Sequence, residues 1–158
     1  MSIEDSEALI NRYIEACGNH CEPYIVIKRL SEFAFEWDDQ SLSNVIFENT
    51  KELGCVRCEW HSMSEYDGKE LLKTILGESL LLEYPPFGKT SKCNLSEFLE
   101  ELYKLVGSGV FLSNTVSYGQ GARTYGQIFP DSERYELDVG VSIVTGEWFV
   151  FFGHRGFE

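Results

Sequence analysis

Basic residues are scarce in this chain of 158 residues. It has 13 Lys and Arg against 26 Asp and Glu, which gives a formal net charge of −13 at pH 7. Because like charges repel over about a Debye length, this excess argues against a nucleic acid or an anionic membrane as a partner. The charge balance instead favours a basic partner.

Long apolar runs are also missing. No segment approaches the ~18 consecutive apolar residues of a membrane helix, and the longest near-continuous apolar run, residues 148–152, has the length of a strand. The acidic N-terminus, residues 1–5, lacks the basic and then apolar segments of a signal peptide. We therefore expect a cytoplasmic protein that does not bind membranes.

Cysteine and histidine are few, with five and three residues. An odd number of cysteines without an export signal indicates reduced thiols. Cys55, Cys58 and His61 lie close enough in sequence to suggest soft ligands for zinc. On an extended strand, however, Cys58 would face away from the other two. We expect the thiols to fill a reduced core, with no metal and no other cofactor.

No ordered catalytic signature is present, since the chain contains no Gly-x-Ser-x-Gly elbow. Gly119-Gln120-Gly121 opens no helix pattern, so we predict a hairpin turn there and not a phosphate-binding loop. We therefore expect no enzymatic activity. The alternative is a small-ligand-binding protein or an enzyme with a pocket between helices and sheet, using Tyr118, Arg123 and His154.

The length and an apolar content of 43% predict a single domain over residues 1–158. Helical spacing of apolar residues and capping signals predict helices near residues 6–17, 42–53, 69–76 and 95–105. Asp38, Asp39 and Ser41 are candidate N-caps for the second helix, and Asp67-Gly68 is typical of a turn before the third. Residues 55–62 alternate as a strand does.

The C-terminal part of the chain has no helix pattern. Residues 110–117, 124–129, 135–144 and 147–152 are strand candidates, and Thr145-Gly146 predicts a tight hairpin. Residues 135–144 alternate apolar and polar side chains, which is typical of a sheet with one solvated face. The predicted fold class is α+β, with N-terminal helices packed on a mainly antiparallel sheet that ends in a C-terminal β-meander.

Two groups of acidic residues are candidate partner-binding sites. The first follows an aromatic stretch and consists of Glu36, Trp37, Asp38 and Asp39. The second, on or beside the presumed wet sheet face, consists of Asp131, Glu133, Glu136 and Asp138. Aromatic anchors beside carboxylates are the composition expected where binding hot spots lie next to steering charge. Either group would meet Lys and Arg side chains of a partner.

With its acid excess, its α+β pattern and its sequence Phe35-Glu36-Trp37-Asp38-Asp39, the chain resembles the small acidic immunity proteins of bacteria, including those of contact-dependent growth inhibition. The likeness is diffuse along the whole chain and has no diagnostic motif. It implies a stoichiometric inhibitor that binds a cognate toxin domain, often a basic nuclease, and covers its active site or substrate surface.

Overall fold

The computed structural model describes residues 3–18, 23–30, 36–77, 86–87, 94–117, 123–124, 128–129 and 137–156. The helices in these ranges are α1 (Ile3–Cys17), α2 (Asp39–Thr50), α3 (Glu65–Gly77) and α4 (Leu95–Val106), with a 3-10 turn at Lys51–Leu53. The strands are β1 (Tyr24–Arg29), β2 (His61–Met63), β3 (Val110–Ser113), β4 (Thr115–Ser117), β5 (Arg123–Thr124), β6 (Leu137–Val144) and β7 (Trp148–Gly156).

Five strands form one antiparallel sheet in the order β1-β7-β6-β3-β2. The hairpin β6–β7 lies at its centre, and Thr145 turns it by accepting the Trp148 N–H at 2.7 Å on its hydroxyl. The α+β prediction and the hairpin at Thr145-Gly146 are therefore confirmed. Strands β4 and β5 form a separate antiparallel pair, and the residues of the predicted Gly119–Gly121 turn lie outside the described ranges. No helix in the described ranges has the length and apolarity to cross a membrane.

Helices cover both faces of the sheet. Val139, Val141 and Ile143 of β6 pack toward a core that contains the apolar sides of α1, α3 and α4. The opposite face of the sheet packs against α2 through Leu42 and Ile46. The predicted wet face is therefore wrong for β6, because residues 139–144 are all buried. The small residues at alternate positions, Gly140 and Ser142, leave space for the layer formed by α2 and do not contact solvent.

The helix α3 begins earlier than predicted. The Ser64 hydroxyl accepts the Asp67 N–H at 3.1 Å, which caps a helix from Glu65. Asp67-Gly68 is thus helical and not a turn. The glycine has a packing role, since a Cβ at Gly68 would lie 2.4 Å from Cγ of Phe111. Close approach of α3 to the sheet requires glycine at this position.

The predicted strand over residues 55–62 is largely irregular, and only β2 at its end pairs with β3. Backbone N–H groups of this segment form hydrogen bonds outside the sheet. Val56 N–H donates to the Ile128 carbonyl at 2.7 Å, and Trp60 N–H donates to the Ser43 hydroxyl at 3.1 Å. Because tertiary contacts take these donors, the alternating side chains do not lead to a ladder.

Gly140 is the position in β6 where the second layer comes closest. A Cβ there would lie 2.8 Å from both Ile128 Cδ1 and Trp60 Cη2. We expect Gly140→Ala to lower the free energy of unfolding by about 1–3 kcal/mol, since the substituent overpacks a filled site. Urea unfolding measures this loss. Gly146→Ala is the matched control, because a Cβ at Gly146 meets no atom within 4 Å. Equal stability of the two variants would contradict the close packing of Trp60 against Gly140.

Two buried serines on neighbouring strands have opposite roles. Ser113 donates its hydroxyl to the Gly140 carbonyl at 2.7 Å, whereas the Ser142 hydroxyl has no hydrogen-bond partner among the described residues. We expect Ser142→Ala to raise the free energy of unfolding by about 1 kcal/mol and Ser113→Ala to lower it by a similar amount. Urea midpoints of the two variants check the sign. A loss of stability in Ser142→Ala would show that this hydroxyl is satisfied.

Candidate functional site

A surface cleft of about 570 Å³ lies between the first half of α2 and the irregular segment that leads into β2. The helix contributes Asp39, Gln40, Ser43 and Asn44, and the facing wall consists of Arg57, Cys58, Glu59, Trp60 and His61. Its volume falls in the range of ligand-binding clefts, roughly 300–1,000 Å³. Most of its lining side chains are polar or charged.

Ser43 joins the two walls. Its hydroxyl donates to the Asp39 carbonyl at 2.7 Å and accepts the Trp60 N–H at 3.1 Å. Trp60 itself is buried, and its ring packs edge-on to Phe151 with centroids 6.1 Å apart. The wall opposite α2 is thereby anchored in the core, so the cleft has a fixed base.

Asp38 caps α2. Its carboxylate accepts the Ser41 N–H at 2.9 Å and the Ser41 hydroxyl at 3.0 Å. These hydrogen bonds stabilise the charged form and lower the pKa of Asp38. The predicted N-cap is confirmed, and this carboxylate is already committed to the helix, although it is exposed to solvent.

The His61 ring lies between two carboxylates from different parts of the chain. Its Nδ1 is 3.8 Å from Oδ2 of Asp39, and its Nε2 is 3.5 Å from Oε2 of Glu59. Asp39 also accepts the Ser62 N–H at 3.3 Å, which occupies a backbone donor on the edge strand β2. Asp39 therefore links the first turn of α2 to both the histidine and the sheet edge.

Arg57 is the cationic side chain in the cleft lining. Its guanidinium donates to the Asn44 side chain at 3.0 Å, lies 4.2 Å from the centre of the Phe47 ring and is 3.9 Å from a Glu48 oxygen. Glu48 also pairs with Lys51 at 2.7 Å, and the hydrogen bond and charge of that lysine lower the pKa of Glu48. Arg57 thus lies against α2, within reach of an opposite charge.

The first predicted acidic group is divided among three roles. Glu36 and Trp37 are exposed just before the helix, and Trp37 keeps 51% of its surface accessible. Asp38 caps α2, and Asp39 lines the cleft. Glu59 was missed as a site residue. The strand-like alternation does place Glu59 on one side with Arg57 and His61, but nothing in the sequence shows that α2 faces them.

The second predicted acidic group is not assembled in the described part of the chain. Asp131, Glu133 and Glu136 lie outside the described ranges. The backbone of Asp138 belongs to β6, opposite Arg155 of β7 in the ladder. The assignment of this group therefore stays a prediction.

The zinc pattern does not assemble among the described residues. Cys55 is buried with the core under α2, whereas Cys58 and His61 line the cleft. No group of three or more His, Cys, Asp and Glu side chains in the described ranges is arranged to hold a metal ion. Two further cysteines of the chain, Cys21 and Cys93, lie outside these ranges.

Of the residues of the alternative pocket, His154 is a buried residue of β7, opposite Val139, and is not part of the cleft lining. Tyr118 lies outside the described ranges. Arg123 begins the short strand β5. Burial lowers the pKa of His154 to about 4, because the charged imidazolium would lose its hydration.

Comparison of the chain with protein-family models, with curated proteins and with solved structures finds no match. The geometry of the cleft and the charge around it therefore provide the basis for a functional proposal.

The low pKa of His154 makes stability depend on pH. The unfolded chain takes up a proton at this histidine near pH 6.5, and the folded chain does so only near pH 4, so acidification favours unfolding between these values. We expect a loss of roughly 1 kcal/mol per pH unit from this residue in that window. Urea unfolding from pH 7 to pH 4.5 measures the slope. His154→Gln should have a smaller slope, and an unchanged slope would contradict the assignment.

Proposed function

We propose that the protein binds a basic partner protein at the α2 cleft, and that the partner is a cognate bacterial toxin domain, as the resemblance to immunity proteins implies. The observation that carries the proposal is the exposed indole of Trp37, which directly precedes the capped end of α2. Tryptophan is enriched among residues that dominate binding energy at interfaces. Here it stands next to carboxylates that would attract Lys and Arg.

The local charge supports a basic partner. Asp38 is used by the helix cap and Arg57 lies near Glu48, so the carboxylates of the cleft lining are Asp39 and Glu59. Glu36 is exposed just before α2. Such a surface, on a protein with a net charge of −13, raises the association rate of a basic partner by roughly 10–10³-fold at low salt. Burial of Trp37 would then slow dissociation.

On this proposal the protein acts in the cytoplasm by stoichiometric occlusion and not by catalysis. Both nitrogens of His61 face carboxylates at 3.8 and 3.5 Å. The proposal therefore assigns this ring to the carboxylates of the cleft and not to the activation of a nucleophile.

A second candidate is binding of a small ligand in the same cleft. Its volume of about 570 Å³ favours this function. The lining contains the charged side chains of Asp39, Arg57 and Glu59, so such a ligand would itself carry polar or charged groups. Thermal stabilisation by a metabolite without any protein partner would identify this candidate.

Charge reversal tests the proposed surface. We expect Glu36→Lys combined with Glu59→Lys to slow association with the partner about tenfold and to weaken the dependence of the rate on salt. The tagged protein is used to capture its partner from native cytoplasm at low and at high salt. Surface plasmon resonance then measures the association rates of the captured partner. Asp38 and Asp39 are left intact because both accept backbone N–H groups.

Glu7→Lys combined with Glu15→Lys is the matched control, since both residues are exposed on α1 and the change in charge is the same. We expect this control to keep most of the wild-type association rate and of its dependence on salt. A parallel variant, Asp131→Lys with Glu133→Lys, tests the second acidic group. Unchanged association in both the cleft variant and this parallel variant would exclude Glu36 with Glu59, and Asp131 with Glu133, as carboxylates that attract the partner.

A separate experiment tests the toxin assignment. The captured partner is expressed alone and together with this protein, and growth is measured. Growth arrest by the partner alone, relieved by the wild-type chain and poorly relieved by Trp37→Ala, would support neutralisation. A harmless partner would overturn the immunity assignment while leaving the binding surface in place.

A further inference from the structure

Three groups in the described part of the chain are candidates for a further role: the buried Tyr103 phenol, the buried Ser142 hydroxyl and the His61 ring between its two carboxylates. Tyr103 lies under Lys69, whose Nζ is 4.6 Å from the ring centre, and burial raises the pKa of this phenol. Neither Tyr103 nor Ser142 borders the α2 cleft. Only His61 couples a titratable group to the carboxylates of the proposed site.

We propose that His61 is an internal competitor for the partner: its protonated ring pairs with Asp39 and Glu59 and weakens the binding of basic side chains in acid. This inference rests on the proposed function. Its geometric basis is independent, because the ring nitrogens lie 3.8 Å from Asp39 and 3.5 Å from Glu59. The two carboxylates belong to opposite walls of the cleft.

The surroundings of the ring decide the sign of the effect. Among the described residues, the titratable or charged groups that share the cleft with His61 are Asp39 from α2 and Arg57, Cys58 and Glu59 from its own wall. On the β3 side its register partner is the uncharged Ser113. Among the described residues, the two carboxylates lie within ion-pair distance of the ring, so a proton on His61 reduces the negative charge that they offer to a partner.

Histidine is the side chain whose ordinary titration lies between pH 5 and 8, where Asp and Glu remain charged. A proton on the ring adds one positive charge between the carboxylates without removing theirs. At higher pH the neutral ring leaves both carboxylates to the partner. The expected direction is stronger binding of a basic ligand at pH 7.5 than at pH 5.5.

The first experiment needs no partner. The pH titration of the His61 ring protons is followed by NMR in the wild type, in Asp39→Asn and in Glu59→Gln. Each substitution keeps the shape of the side chain and removes its charge, so we expect each variant to move the His61 midpoint to lower pH. We also expect the Ser62 amide, whose N–H donates to Asp39, to shift together with the ring in the wild type. Identical midpoints in all three proteins would overturn the inference.

The second experiment uses a hexa-arginine peptide as the basic probe. We expect the wild type to bind it about threefold or more weakly at pH 5.5 than at pH 7.5, and His61→Gln to show less than half of that difference on a logarithmic scale. An equal pH dependence in the two proteins overturns the role of His61 and leaves the proposed site standing. Absence of peptide binding at either pH overturns both the regulation and the basic-partner site.

Discussion

The packing of Trp60 against Gly140 determines where the rest of the second layer lies. Glycine in the central strand β6 leaves room for the indole, which would otherwise be 2.8 Å from a Cβ. Once the indole is seated, the segment before β2 runs across the sheet face and Ser43 of α2 bonds to its backbone. The cleft, its carboxylates and the start of α2 are all positioned by this contact.

This arrangement also explains why negative charge at the cleft stays exposed to solvent. Some carboxylates have structural tasks, as Asp38 does at the helix cap and Glu48 does with Lys51. Others, such as Glu59, extend from a wall that the core holds in position, with 79% of the side chain exposed. The proposed binding surface thus depends on a rigid base and not on the number of acidic residues.

Much of the fold could be predicted from the sequence, because its signals are local. The apolar spacing of α1 and α4, the Asp38 cap and the β6–β7 hairpin all depend on neighbouring residues. The irregular course of residues 55–60 could not be predicted in this way, because it depends on a distant partner, Ile128, bonded to Val56. The early start of α3 has a local cause in the Ser64 cap, but the reason for a glycine at position 68, contact with Phe111, is distant. For the same reason, only part of the site could be predicted from the sequence. Asp39 belongs to a local acidic group, whereas Glu59 and His61 come close to it only through tertiary folding.

The irregular segment before β2 has a consequence for how this surface can change in evolution. Its backbone is held at Val56 by Ile128 and at Trp60 by Ser43, and the side chains of Arg57, Cys58 and Glu59 project between these two anchors into the cleft. Outside a ladder, no cross-strand neighbour restricts these three positions. Substitution there alters the chemistry of the cleft while the strand register is preserved, so the proposed binding surface can change without altering the sheet.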